Sequence, residues 1–262
     1  MKKSATGLVA LVLFIVVGTA HAYTLTGTGK GLTFTATGPG DNRGETLHAS
    51  ATFAVSNLNL IVTLENTGTF DPNDPADILT ALFFTIAGNL ALTRVSAELG
   101  PDSSVIGHRL PLGFDGDVGG EWTYRNNLTR TPQGANEGIS STNLKWFGNK
   151  KYLFPGEQLR GAGHPGGVDF GITTLFDLPS NNRGGIKNKG LIQNVVVFTF
   201  GLPAGFERME ISDVTFQYGA NLKQPDILGD AINQVPEPST ISLVTAGLLG
   251  ALTLARRRML RR

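Results

Sequence analysis

The feature that most restricts the fold is a period of two. Between Tyr23 and Tyr218 short runs alternate an apolar residue with threonine or another polar residue, and no stretch keeps a helical period for three turns. Tyr23-Thr24-Leu25-Thr26 and Leu32-Thr33-Phe34-Thr35-Ala36-Thr37 are the plainest cases. Every second side chain then falls on one face, with β-branched threonine on the other, which is the pattern of a half-buried strand. Residues 49–55 and 58–64, separated by Ser56-Asn57, predict a hairpin. Further strands are predicted over 79–86, 90–97, 121–124, 191–200 and 208–218.

Glycine and proline punctuate these runs, as in Gly38-Pro39-Gly40 and Gly100-Pro101-Asp102. About nine strands in such a chain predict an all-β fold, an antiparallel β-sandwich or jelly-roll-like domain over residues 23–220. Residues 113–189 are less regular and read as long loops or a β-rich insertion. Residues 221–234 read as a polar spacer. No fixed-period repeat is present, which argues against a solenoid or propeller.

The two ends carry addresses. Residues 1–22 have a charged start (Lys2, Lys3), an apolar core (Leu8 to Val17) and the small-x-small sequence Ala20-His21-Ala22 before Tyr23. This predicts a secretory signal peptide cut between Ala22 and Tyr23. Residues 235–262 read V-P-E-P-S-T, then an uncharged run from Ile241 to Ala255, then Arg256, Arg257, Arg258, Arg261 and Arg262. A helix over 240–255 crosses a bilayer only with help from its polar flank, since the fifteen apolar-run residues 241–255 span roughly 22 Å against about 30 Å of hydrocarbon. Five arginines would be costly to bury but suit a cytoplasmic stop-transfer end. Together the ends predict an ectodomain outside the inner membrane and a tail inside.

Val235, Pro236, Glu237, Pro238 and Ser239, followed by that apolar run and the arginine-rich terminus (256–262), resemble the PEP-CTERM sorting signal of Gram-negative bacterial surface proteins. The resemblance implies recognition by exosortase, a membrane cysteine transpeptidase that cleaves near the motif. It also implies company with exopolysaccharide production and biofilm formation. The run from Phe53 to Glu98, with T-L-E-N-T-G-T-F-D-P-N-D-P-A-D, is similar to a group of exosortase-dependent surface proteins with a β-rich ectodomain, which implies no known catalytic activity.

Charge and composition narrow the ectodomain's chemistry. Lys2, Lys3 and the five tail arginines hold 7 of the 22 basic residues, and Glu237 is the one acid of 21 outside residues 23–234. The ectodomain therefore carries 15 basic against 20 acidic residues, a net charge of about −5, which argues against nucleic acid as a partner. The chain has no cysteine, so an exported fold must rest on its hydrophobic core, and thiolate chemistry is excluded.

Candidate ligand residues are few. Asp71, Asp74 and Asp77 in F-D-P-N-D-P-A-D are oxygen donors that calcium would accept, although turn initiation by Asp71 and Asp74 and capping by Asp77 is the simpler reading. Asp115, Asp117 and Glu121 form a second acidic set without the spacing of an EF-hand. No cofactor is otherwise expected. Trp122, Tyr124 and Trp146 are candidates for stacking on a glycan, with core packing as the competing role. His48, His108 and His164 are scattered and match no catalytic or metal motif. The leading expectation is a non-enzymatic exported protein at the cell surface or in the extracellular matrix, with exosortase and exopolysaccharide as partners. The alternatives are a secreted polysaccharide hydrolase and an unprocessed single-pass membrane protein with a carbohydrate-binding ectodomain.

Overall fold

The alternation is realised as two antiparallel-rich sheets packed face to face. The computed structural model describes residues 22–27, 31–41, 44–88, 90–107, 114–144, 152–155, 158–160 and 166–232. The expected signal peptide up to His21 and the sorting segment 235–262 lie outside these residues. Among the described residues no helix is long and apolar enough to cross a membrane.

The six-stranded sheet has the order β15 (Asp230–Ala231), β2 (Leu32–Pro39), β3 (Thr46–Ser56), β4 (Asn59–Asn66), β12 (Val195–Gly201) and β6 (Thr93–Leu99). The main path of the nine-stranded sheet runs β1 (Tyr23–Thr26), β13 (Arg208–Tyr218), β5 (Leu79–Ile86), β10 (Ile172–Thr173), β11 (Leu191–Gln193) and β7 (Ser104–Ile106). Onto it are added β14 (Asp226–Leu228) beside β13, β9 (Glu137–Ser140) beside β5, and β8 (Thr123–Arg125) beside β9. Only β10 and β11 among these pairs run parallel.

The period of two decides which side chains meet. On β2 and β3, Leu32, Phe34, Ala36, Leu47, Ala49, Ala51 and Phe53 are buried. The threonines between them pair across the outer face, with Thr33 and Thr52 hydroxyls 2.9 Å apart and Thr37 Oγ1 3.0 Å from His48 Nδ1. Aromatic rings then join the sheets: Phe53 on β3 meets Phe84 on β5 edge-on at 5.2 Å, and Tyr23 meets Phe34 at 5.5 Å. Such edge-to-face pairs add to the burial that stabilises a disulfide-free core.

Strand β5 lacks alternation in its sequence, L-T-A-L-F-F-T-I, because both of its faces are covered. Leu82, Phe84 and Ile86 belong to the core between the sheets, while Ala81 and Phe83 pack with Leu128, Ala135, Leu144, Leu153 and Phe154 on the other side. Part of the irregular region expected over 113–189, at Leu128, Ala135, Leu144, Leu153 and Phe154, is thus laid on the outer side of β5. Gly138 permits this closeness, since a Cβ there would come within 2.8 Å of both Leu128 and Phe154.

Three expectations are corrected. The hairpin corner is Asn57-Leu58 rather than Ser56-Asn57, with both residues at positive φ (49° and 58°) and Ser56 facing Asn59. That is the mirror-image turn whose twist suits a hairpin. The single strand expected over 191–200 is two strands, because Asn194 sits at φ 79° and turns the chain from one sheet into the other. Finally, the spacer expected over 221–234 is folded as far as Ile232. Strand β14 pairs with β13, β15 pairs with β2, and the Ile232 N–H donates to the Thr33 carbonyl at 3.0 Å. Gly229 lies at the crossing between them, against Phe216 and Phe34. The Gln217 amide nitrogen stiffens the preceding turn, lying 2.7–3.4 Å from the carbonyls of Tyr218, Asn221, Gln224 and Pro225.

Candidate functional site

The aromatic candidates for glycan contact belong to the core. Trp122 is 0% exposed and packs edge-on against Phe198 at 4.9 Å. Tyr124, 4% exposed, lies 4.7 Å from the ring of Phe200. Both side chains fill the space between β8 and β12 because large rings supply the area a sandwich must bury, so neither is on a surface that a polymer could reach. Trp146 lies outside the described residues.

Tyr124 leads to a group that carries no sequence signal. Its hydroxyl donates to Glu137 Oε2 at 2.5 Å, and Glu137 is 2% exposed on β9. Burial pushes the Glu137 carboxyl up to about 7, with the Tyr124 hydrogen bond opposing part of that rise. Burial, and then the Glu137 carboxyl, push the Tyr124 hydroxyl upward as well. A carboxyl poised near neutrality is a familiar component of acid–base sites. Here it is sealed beneath the sheets, where it acts on stability.

The acidic candidates serve the backbone. Asp74 caps the short 3-10 helix Pro75–Asp77 by accepting from the Ala76 N–H at 3.0 Å, while Asp77 Oδ2 accepts from the N–H groups of Asn73 and Asp74 at 3.2 and 3.1 Å. This reciprocal arrangement is a capping box, so these two carboxylates do what turn chemistry requires. Asp71 turns instead to a distant loop: its Oδ1 accepts from the Leu178 N–H at 2.8 Å and its Oδ2 from Asn181 Nδ2 at 2.6 Å. In the second set, Asp115 Oδ1 accepts from the Asp117 N–H and Asp117 Oδ1 from the Gly119 N–H, with Arg160 3.5 Å from Asp117. Glu121 closes a turn through its own N–H to the Val118 carbonyl. Among the described residues no group of three or more His, Cys, Asp or Glu side chains is placed to hold a metal ion. The two calcium sets are therefore not assembled as expected. His48 is engaged with Thr37 on the outer face of β3, and His108 and His164 lie outside the described residues.

The Asp71 contact exposes a second omission. Asp177 and Asn182, more than a hundred residues away in sequence, are buried within the loop that Asp71 holds. No local spacing links them to Asp71, so periodicity and motif reading pass them by.

The end of the fold leads directly into the sorting segment. A family model described as the PEP-CTERM protein-sorting motif matches residues 234–258. The chain carries a PEP-CTERM sorting signal. Such a signal implies export through the membrane, placement at the surface and exosortase as the processing partner. The PEP-CTERM match stops short of the β domain, so the fold stands on its own geometry. No curated protein and no solved structure matches the chain.

Proposed function

We propose that this is a non-enzymatic surface protein, processed by exosortase at its C-terminal signal, whose β domain has a structural or adhesive role in the exopolysaccharide matrix. The observation that supports this reading best is one of position. The sorting match begins at residue 234, and the fold is hydrogen-bonded to its last described residue, Ile232, leaving Asn233 alone between them. Processing near Pro236-Glu237-Pro238 would detach the apolar run and the arginines without touching a strand. The product would be a cysteine-free acidic domain whose buried acid Glu137 is shielded from any polymer.

Mass spectrometry of the protein recovered from the cell surface tests this. The expected mature chain starts at Tyr23 and ends near residue 238, and deleting the exosortase should leave the tail attached and the protein in the inner membrane. Surface protein that still ends at Arg262 overturns the processing step. Turnover of the organism's own polysaccharide by the purified protein overturns the non-enzymatic role.

A further inference from the structure

At one end of the sandwich, loop 174–183 packs on loop 67–78. Thr174 Oγ1 donates to the Phe70 carbonyl at 2.7 Å, and Asp71 holds Leu178 and Asn181 as described. Asp177 lies inside this junction, 2% exposed. Its Oδ2 accepts from Thr173 Oγ1 at 2.6 Å and its carbonyl from Gln193 Nε2 at 3.1 Å. Its Oδ1 has no hydrogen-bond partner. The Asn182 side chain hydrogen-bonds to the same carboxyl, is 7% exposed, and its own Oδ1 is without a partner.

Buried acceptors are almost always satisfied, and leaving one bare is costly. The Asn182 amide gives the Asp177 carboxyl a donor, but its own oxygen stays bare and no charge is offset. What the junction lacks is something positive. The Asp71 carboxylate, whose charge acts on Asp177, adds a second negative group. A proton would neutralise one carboxylate and leave the other. Two carboxylates and an amide oxygen, with no nitrogen or sulfur donor among them, are instead the ligand set of a hard cation with flexible coordination.

We propose that a calcium-sized divalent cation binds at Asp177 and Asn182, with Asp71 supplying the second carboxylate. The expected affinity is that of an extracellular module, a Kd on the order of 0.1–1 mM. The ion would lock a loop whose outer side presents Leu175, Phe176 and Leu178, each more than half exposed. Asp74 and Asp77, occupied by the capping box, take no part.

The test uses the full-length chain in detergent after chelation, followed by calcium titration with calorimetry and thermal melting. Calcium at about ten times its Kd should raise Tm by roughly 3–6 °C with a saturable heat. Asp177→Asn and Asp71→Asn should each abolish both effects, while Asp115→Asn keeps them. Asn182→Asp, which adds a carboxylate without removing a ligand, should tighten binding by about tenfold. Absence of a saturable heat, or a Tm shift that survives Asp177→Asn and Asp71→Asn, overturns the proposal. A wild-type chain stabilised by acid and indifferent to calcium holds a proton at the junction and overturns it equally. If the Asp177 variant does not fold, an Asn182→Asp affinity that is unchanged or weaker has the same force.

Discussion

Glu137 is a carboxyl kept where water does not reach, and its proton is therefore part of the fold. Burial raises it to about 7, so the folded chain holds a proton more tightly than the unfolded one. The stability it contributes is fully present below the ordinary glutamate range and is lost as pH rises through about 7. Asp77 is raised by burial too and acts in the same direction. Glu137→Gln keeps an acceptor for the Tyr124 hydroxyl and removes the charge. Thermal melts should show the variant more stable than wild type at about pH 8, with the difference shrinking at about pH 5. A constant difference at both values would mean that the carboxyl titrates normally. Nothing in N-E-G-I-S distinguishes Glu137 from a surface glutamate, because its burial is set by β5 and by the tyrosine thirteen residues earlier. The same holds for Trp122 and Tyr124: their residue types suit stacking on sugar or packing in a core, and only the position of β12 decides between them.

At the level of elements, the strands with one wet face were legible. Residues 32–37, 49–55 and 58–64 alternate, and they fold as β2, β3 and β4 with the expected faces buried. What the pattern does not contain is where a continuous apolar run changes partners. Residues 191–200 read as one strand, yet β11 pairs with β7 and β10 while β12 pairs with β4 and β6. The switch depends on Asn194 at positive φ, with its N–H donating to Thr173 and its carbonyl accepting from Asn66. Asparagine tolerates that conformation and β-branched residues do not. Asn194→Gly should therefore be close to neutral, while Asn194→Val should cost about 1–3 kcal/mol in urea melts. Equal stability of the two variants would show that the corner does not rely on the left-handed conformation. The short strands β9 and β10 were hardest to read, since their pairing depends on contacts with β5 over long sequence distances.

In the whole molecule the last folded stretch belongs to both sheets. β14 covers one half of the outer edge of β13, where β1 covers the other half, and β15 then covers the edge of β2. An uncovered edge invites pairing with other chains, so this strap closes an open side of the sandwich. A chain ending at Pro225 should lose roughly 2–4 kcal/mol through the missing ladder bonds and bared Phe34 and Phe216, and should aggregate more readily. One ending at Asn233 should melt like the mature protein. Differential scanning calorimetry of the two distinguishes them, and matching transitions would mean that the strap is ornamental to the fold.

The strap also sets a clock. A chain threaded outward from its N-terminus delivers residues 226–232 last among the described residues, and only eight residues separate Ile232 from the apolar run at Ile241. Fully extended, that interval reaches roughly 30 Å. With the apolar run held in a bilayer, the sandwich would be fastened shut within that reach of it. A protease that cuts behind Ile232 would leave every strand of the described domain in place.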